Sequence, residues 1–486
     1  MKTKPNILVF MTDQQRGDTI SNKDIILPNI RRLASSGLTF NNAFCPSPHC
    51  CPSRATFFTG LYPTQHGVWN NVCVQNRLSK GLNDGIDLFS QFLEQEKYDL
   101  FYAGKWHVCY ESGPEDYGFE ELHVTCNKES KNDPTSHNMA PGWQMYAGLK
   151  DDDTKLRKRG EILRPGYPDY IHYGIHENPF QDADIVESAI AKLRTLRRTP
   201  TQPWMMFIGT LGPHDPYFVP QRFLDMYADY EVELSDIHVD SMEDKPAYNR
   251  RIKGIFDQLT LQEKKEAIKH YMAFCTYEDY LFGKVINELE EHEDFDNTII
   301  LFTSDHGDYN GEHGLWCKGL PAFRSAYHIP AVFYWGKGIE NPGRTVDDLV
   351  SLADFSETFL DFAGAKFNEN TVGKSLSKYF HSENNQTNHE FIFTQTNGNE
   401  IYGIQRSVFN HYWKLVYNSY DFDELYDLKN DPEELSNLIN DESLKYVRKS
   451  LYKKLWQFAL DVNDQCLNPY IMVGMAEFGP ATAFEK

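Results

Sequence analysis

Asn6-Ile7-Leu8-Val9-Phe10-Met11-Thr12-Asp13 decides the architecture. Ile7 to Met11 are apolar without alternation, and a polar end follows at Asp13. A short run that is apolar on both faces is the pattern of a central parallel strand covered on two sides. The pattern recurs at Trp204-Met205-Met206-Phe207-Ile208-Gly209, leading to His214, and at Thr298-Ile299-Ile300-Leu301-Phe302-Thr303, leading to Asp305. Helical spacing lies between these runs, at Asp184 to Arg194 and Tyr277 to Glu291. Strands alternating with helices predict an α/β fold with a large, mostly parallel central sheet flanked by helices. Ligands of such sheets sit beyond the carboxyl ends of the strands, where all three runs place a residue able to ligate.

The segment 110–178 departs from this pattern. It is rich in Gly, Pro, Tyr and His with little periodicity, and reads as a loop-rich insertion on the substrate side of a catalytic domain spanning 1–364. After Gly364 the alternation weakens. Phe391 to Thr394 and Tyr412 to Tyr417 read as strands of an antiparallel sheet, and Glu442 to Val462 as a helix. Residues 365–486 are therefore expected to form a smaller C-terminal α+β subdomain.

The chain has 486 residues, 41% hydrophobic and 24% charged, which excludes disordered, collagen-like and coiled-coil classes. Its 48 Lys+Arg against 70 Asp+Glu give a net charge of −22. That acidity argues against a general nucleic-acid or anionic-membrane binder, but not against a small anion held in a local basic pocket. No apolar run is long enough to span a bilayer. The N-terminal run is too short for a secretory signal, so the expected compartment is the cytoplasm, or the periplasm where a signal has been removed. Nine cysteines are sparse in this length, and no C-x-x-C pair suggests zinc.

One cysteine stands in a special context: Cys50-Cys51-Pro52-Ser53-Arg54-Ala55-Thr56-Phe57-Phe58-Thr59-Gly60, followed by Leu61-Tyr62-Pro63 and His66-Gly67. A cysteine is by default a buried, inert small residue. Here C-x-P-S-R with the later Thr-Gly resembles the formylglycine-dependent sulfatase family, of the alkaline phosphatase-like superfamily and its carbohydrate sulfatases. The resemblance extends through Leu27-Pro28-Asn29-Ile30, Gly104-Lys105-Trp106-His107, Pro213-His214-Asp215-Pro216 and Thr303-Ser304-Asp305-His306-Gly307-Asp308. Glu312 to Gly319, Glu424 to Leu428 and Asp431-Pro432 continue it.

The resemblance implies that Cys50 is oxidised to formylglycine by a maturation enzyme acting on the unfolded chain. Hydrated, the aldehyde offers one hydroxyl to attack the sulfur of a sulfate ester, giving a sulfo-enzyme. A second hydroxyl then lets sulfate leave, which neither a thiol nor a serine could do. The metal set it implies is Asp13, Gln14, Cys50, Asp305 and His306. The family's commonest pattern has Asp and Asn where Gln14 and His306 stand, so Ca2+ is favoured and Mg2+, Mn2+ and Zn2+ stay open. Lys105 and Lys318 are the candidates for holding the anion, and Arg54 for orienting the nucleophile. His214 is the candidate acid for the leaving alcohol, and His107 the candidate base. Asp308 and His313 are equally readable as supporting or structural residues.

Substrate specificity is expected in loops. Arg164 to His176 interleaves aromatic residues with Arg, His172 and His176, which suits a sugar ring bearing a carboxylate or a second sulfate; a packed Tyr-rich loop fits equally. Relatives often carry an acidic residue at Arg324 and Arg at His328, so these two are expected to face an anionic sugar. The leading reading is a sulfatase acting on a sulfated oligo- or polysaccharide, algal (ulvan, for example) or glycosaminoglycan. The alternatives are a phosphonate or phosphate mono- or diester hydrolase of the same superfamily and, remotely, a non-catalytic carbohydrate binder.

Overall fold

The computed structural model describes residues 4–74, 76–125, 156–164, 170–196, 202–368, 370–381, 387–399, 401–467 and 477–484. Its frame is a nine-stranded sheet. In chain order the strands are β1 (Asn6–Thr12), β2 (Leu38–Phe44), β3 (Asp99–Lys105), β4 (Glu120–Thr125), β5 (Trp204–Gly209), β6 (Thr298–Ser304), β7 (His328–Ile329), β8 (Ala331–Tyr334) and β9 (Arg344–Ser351). The order across the sheet is β7-β2-β8-β6-β1-β5-β3-β4, with β9 also on β2. From β6 to β4 every pairing is parallel; β8 runs antiparallel to both β6 and β2, β7 runs antiparallel to β2, and β9 pairs with β2 in parallel.

The expected two-sided burial of β1 is what the fold uses. Ile7, Val9 and Met11 enter one core, while Leu8 and Phe10 enter the other, as the two-residue period of a strand requires. The first core holds Phe57 and Phe58 of α2 (Cys50–Thr59) together with Phe355 and Phe359. The second is covered by α1 (Pro28–Ser35), α3 (Asp182–Leu196) and α4 (Leu261–Glu290).

Two expectations need correction. The helix expected from Tyr277 begins at Leu261. Its start is fixed by Thr260, whose side chain accepts from Glu263 N while Glu263 accepts from Thr260 N, the reciprocal cap that a T-x-x-E spacing encodes. The segment 110–178 is also not only loops. Glu120–Thr125 adds β4 to the sheet, with Phe101 opposite Glu120 and Lys105 opposite Thr125. Residues 126–155 and 165–169 of that segment lie outside the described residues.

A second, antiparallel sheet is formed by β10 (Ile392–Thr396), β11 (Gln405–Phe409), β12 (Trp413–Asn418) and β13 (Glu424–Asp427). Leu451, Leu455 and Trp456 of α5 (Lys445–Asp461) pack on Val408, Leu415 and Leu425. Gln395 reaches the segment around α2 twice: its N–H donates to Pro46 O at 2.8 Å, and its Oε1 accepts from Thr64 N at 3.1 Å. The second sheet thus braces the chain on either side of α2. Among the described residues no helix is long and apolar enough to cross a membrane.

Candidate active site

Strand register brings the two acids together. Thr12 pairs with Ser304 at the ends of β1 and β6, so Asp13 and Asp305 are the next residues out on neighbouring strands. Asp305 N donates to Thr12 O at 3.2 Å, and Asp13 N donates to Gly212 O at 3.1 Å. Cys50 opens α2, a helix whose every residue is buried. Ser53 Oγ donates to the carbonyl of Asp305, tying the helix's first turn to the strand end.

Cys50 Sγ lies 3.2 Å from His306 Nε2 and 3.7 Å from Asp13 Oδ1. His306 Nδ1 sits 2.9 Å from the carbonyl of Gly307, so Nδ1 carries the proton and Nε2 presents a lone pair. That lone pair faces Asp13 Oδ1 at 3.4 Å and Asp305 Oδ1 at 3.6 Å. Burial outweighs the two carboxylates and lowers the His306 pKa. The ligand atoms of Asp13, Cys50, Asp305 and His306 fall within 4.8 Å of one another, all buried. Two carboxylates and an imidazole converging on one buried point fit a divalent cation, hard or borderline by their oxygen and imidazole character.

Three cationic side chains surround this group. Lys105 Nζ donates to Asp13 Oδ2. Arg54 Nε donates to Asp305 Oδ2 at 2.8 Å and Nη1 to the carbonyl of Lys105 at 2.8 Å. Burial would raise the Asp13 pKa, but Lys105, with His214, Lys318 and His306, holds the carboxyl well below the usual range. Lys318 Nζ donates to Gln14 Oε1 and to His214 Nε2, both at 2.6 Å. His214 Nδ1 faces the carbonyl of Asp215, which places its proton there and leaves Nε2 to accept.

A family model described as Sulfatase matches residues 5–365. The chain belongs to the sulfatase family. A second model, described as N-sulphoglucosamine sulphohydrolase, C-terminal, matches residues 311–461. An arylsulfatase of Clostridium perfringens is 30% identical over 489 residues, covering 93% of this chain and 94% of that one. Two solved structures share the fold. A protein in complex with its substrate D-glucosamine-2-N,6-O-disulfate has a TM-score of 0.72 at 20% identity, covering 95% of this chain and 99% of that one. The phosphonate monoester hydrolase of Agrobacterium radiobacter has a TM-score of 0.74 at 21% identity, covering 95% and 96%. This sulfatase is a sulfuric ester hydrolase, and its alkaline phosphatase-like fold is the one expected.

The sulfatase brings Asp13, Cys50, Arg54, Lys105, Asp305 and His306 into one contact network, with His214 and Lys318 joined to it through Gln14. The Gln14 amide is held by Lys318, Asp215 and Asp308, from a backbone at φ 71°. His107 Nε2 contacts Cys73 Sγ at 2.8 Å.

Four residues expected at the substrate go elsewhere. His172 is fully buried, with Nδ1 3.1 Å from the hydroxyl of Tyr170, and burial pushes its pKa down to about 4. Tyr170 in turn donates to Asp215 Oδ2 at 2.9 Å, so His172 supports the site from behind. His176 is half-buried, and its Nδ1 accepts from Asn178 N at 3.3 Å in a local turn. Arg324 and His328 follow Lys318 in sequence, but the chain turns away through the short helix Arg324–Tyr327 into β7, where His328 pairs with Phe44 of β2. Arg324 donates to Asn42 Oδ1 at 2.9 Å and His328 Nε2 to the carbonyl of Asn41 at 2.7 Å. Both line a separate cavity of about 620 Å3. His313 contacts Asp240 Oδ2 at 2.7 Å, whereas Asp308 supports Gln14.

Sequence reasoning missed His49, Asp215, Tyr170, Tyr217 and Cys73. His49 is buried directly before Cys50, and burial, with Lys318 and His306 nearby, pushes its pKa down to about 3. Tyr217 donates to Asp308 Oδ2 at 2.6 Å. For His49 and Asp215 the available signal was adjacency to Cys50 and His214; the others have no local signal.

Proposed function

We propose that this sulfatase uses formylglycine at position 50 and removes sulfate from a sulfated oligo- or polysaccharide. The observation that carries the reading is the convergence of Cys50 Sγ with Asp13, Asp305 and His306 at the buried start of α2. The Cys50 sulfur stands in for the hydrated aldehyde, whose hydroxyl supplies the nucleophile. Asp13, Asp305 and His306, with Gln14 beside them, would hold a divalent ion, which would supply electrophilic polarisation of the sulfate group.

The chain's own groups do the rest. Arg54 fixes Asp305 and the end of β3, and so holds the ligands in place. Lys105 and Lys318 face the group that carries the sulfate charge. The proton held between Lys318 Nζ and His214 Nε2 is the one delivered to the departing alcohol oxygen. His107 takes up the proton whose removal frees sulfate. The carbohydrate substrate is supported by likeness to the protein solved with D-glucosamine-2-N,6-O-disulfate.

The test is expression in a host carrying the maturation enzyme, with mass spectrometry of the Cys50 peptide. The aldehyde is expected there, with turnover of 4-nitrophenyl sulfate exceeding that of a phosphodiester or a phosphonate monoester. Unmodified Cys50, or faster turnover of the phosphonate, overturns the reading. A desulfation screen across glycosaminoglycan and algal oligosaccharides then identifies the sugar.

A further inference from the structure

The described cysteines other than Cys50 are not alike. Cys45, Cys51, Cys109, Cys275 and Cys466 are buried, and burial raises the pKa of each thiol, as it does for Cys317. Such thiols are inert. Cys73 is only half-buried, and its Sγ lies 2.8 Å from Nε2 of His107.

The loop that carries Cys73 is fastened to the start of α2. Cys51 N donates to Asn71 Oδ1 at 3.2 Å, Val72 N donates to Cys51 Sγ at 3.3 Å, and Asn71 N donates to Asn399 Oδ1 at 3.0 Å. Cys73 is the next residue along. On the other side, His107 adopts φ 52°, in the left-handed region. Trp106 beside it is fully buried, with its indole N–H donating to Ser112 O at 2.7 Å. Two anchored segments thus present one thiol to one imidazole.

We propose that Cys73 is a positioning residue for His107 and that modification of this thiol switches the site off. The proposal rests on the reading of His107 as the residue that takes up a proton during turnover. The imidazole at hydrogen-bond distance takes the thiol proton only as the sulfur attacks a soft electrophile, and is otherwise neutral. With iodoacetamide a sulfur–carbon bond forms as the carbon–iodine bond breaks, iodide leaves and the thiol proton stays on His107. The added group then occupies the space between Cys73 and the ring and displaces the imidazole.

The test uses the full chain matured to the aldehyde at position 50, so that Cys50 cannot react. In native wild type at neutral pH, the Cys73 peptide is expected to label about tenfold faster than Cys317, with activity lost in step, and His107→Gln is expected to slow that labelling about fivefold. Cys73→Ala is expected to lower kcat about tenfold at unchanged KM, with most of kcat restored in Cys73→Ser. The activity of Cys73→Ser should also be indifferent to iodoacetamide. Labelling of Cys73 no faster than Cys317, full labelling with activity retained, or inactivation of Cys73→Ser at the wild-type rate overturns the proposal. Failure of the sulfatase reading looks different: wild type would turn over no sulfate ester, while the labelling rates still decide the role of Cys73.

Discussion

Replacing Arg54 by Met keeps the unbranched stem of a buried side chain and removes its guanidinium and charge. The guanidinium is fully buried, 2.8 Å from Asp305 Oδ2 and 3.8 Å from Asp13 Oδ2. At an effective dielectric of about 20 those separations correspond to about 6 and about 4 kcal/mol of attraction. Relief of the guanidinium's own desolvation offsets part of this, and deletion of one partner of a buried pair costs about 3–5 kcal/mol in practice. At about 2.1 cal/mol/K per residue, 486 residues give an unfolding entropy of about 1 kcal/mol/K, so Tm should fall by about 3–5 °C in EDTA. Calcium should recover more in the variant than in wild type, because ion and guanidinium share the same two carboxylates and repel each other. A tenfold gain in calcium affinity would add about 1.4 kcal/mol of stabilisation. Differential scanning calorimetry with EDTA and with excess calcium measures both. A variant that melts within about 1 °C of wild type in EDTA, or that gains no more than wild type from calcium, refutes the reasoning.

His214→Gln should lower kcat/KM on an alkyl sulfate by about 10²–10⁴. The loss on 4-nitrophenyl sulfate should be much smaller, since nitrophenolate leaves without a proton; equal losses would remove His214 from the acid role. Asp182 and Glu278 are buried side by side; burial, with Asp13 adding to it, pushes Asp182 up to about 7, and burial, with Asp182 adding to it, pushes Glu278 well above its ordinary value. A carboxyl raised in the folded state stabilises below its unfolded pKa, and that stability is lost as pH rises through the folded value. Glu278→Gln should therefore melt higher than wild type at pH 8, with the difference vanishing near pH 4; a pH-independent difference would refute the shared-proton pair. Arg324→Ala and His328→Ala should keep kcat/KM on aryl sulfate within about threefold, because both side chains line the separate cavity; a larger loss would return them to the substrate site.

The parts of the site legible in the sequence are those where a strand ends. Continuous apolar runs located β1, β5 and β6, and chain direction then placed Asp13, His214 and Asp305 on the same edge. That Asp13 and Asp305 are neighbours follows only from β1 pairing with β6, a register that no local pattern records. β4 was lost because an edge strand reading Glu-Glu-Leu-His-Val-Thr is half polar and lacks the two-sided burial that marks β1. Arg324 and His328 were expected at the sugar because they differ from the residues relatives often carry there, a pattern that records a change of side chain but not the direction it takes: Arg324 opens a four-residue helix that leads His328 into β7. Cys73 and His107 are 34 positions apart, and their contact exists only because one loop is bolted to α2 while the other ends β3.

The net charge of −22 set against three converging cations suggested a positive pocket in an acidic protein. The contacts change that account. Arg54 is matched by Asp305 and Lys105 by Asp13. Lys318 lies in the field of Asp13 and Asp215, which together with Cys50 keep its ammonium charged despite burial. The side chains by themselves are therefore close to neutral, and a sulfate monoester gains little net attraction from them. A divalent ion held by Asp13, Asp305 and His306 would supply the surplus positive charge. Anion recognition and metal occupancy would then be one event: the lysines would set the geometry of sulfate binding, and the ion would set its strength.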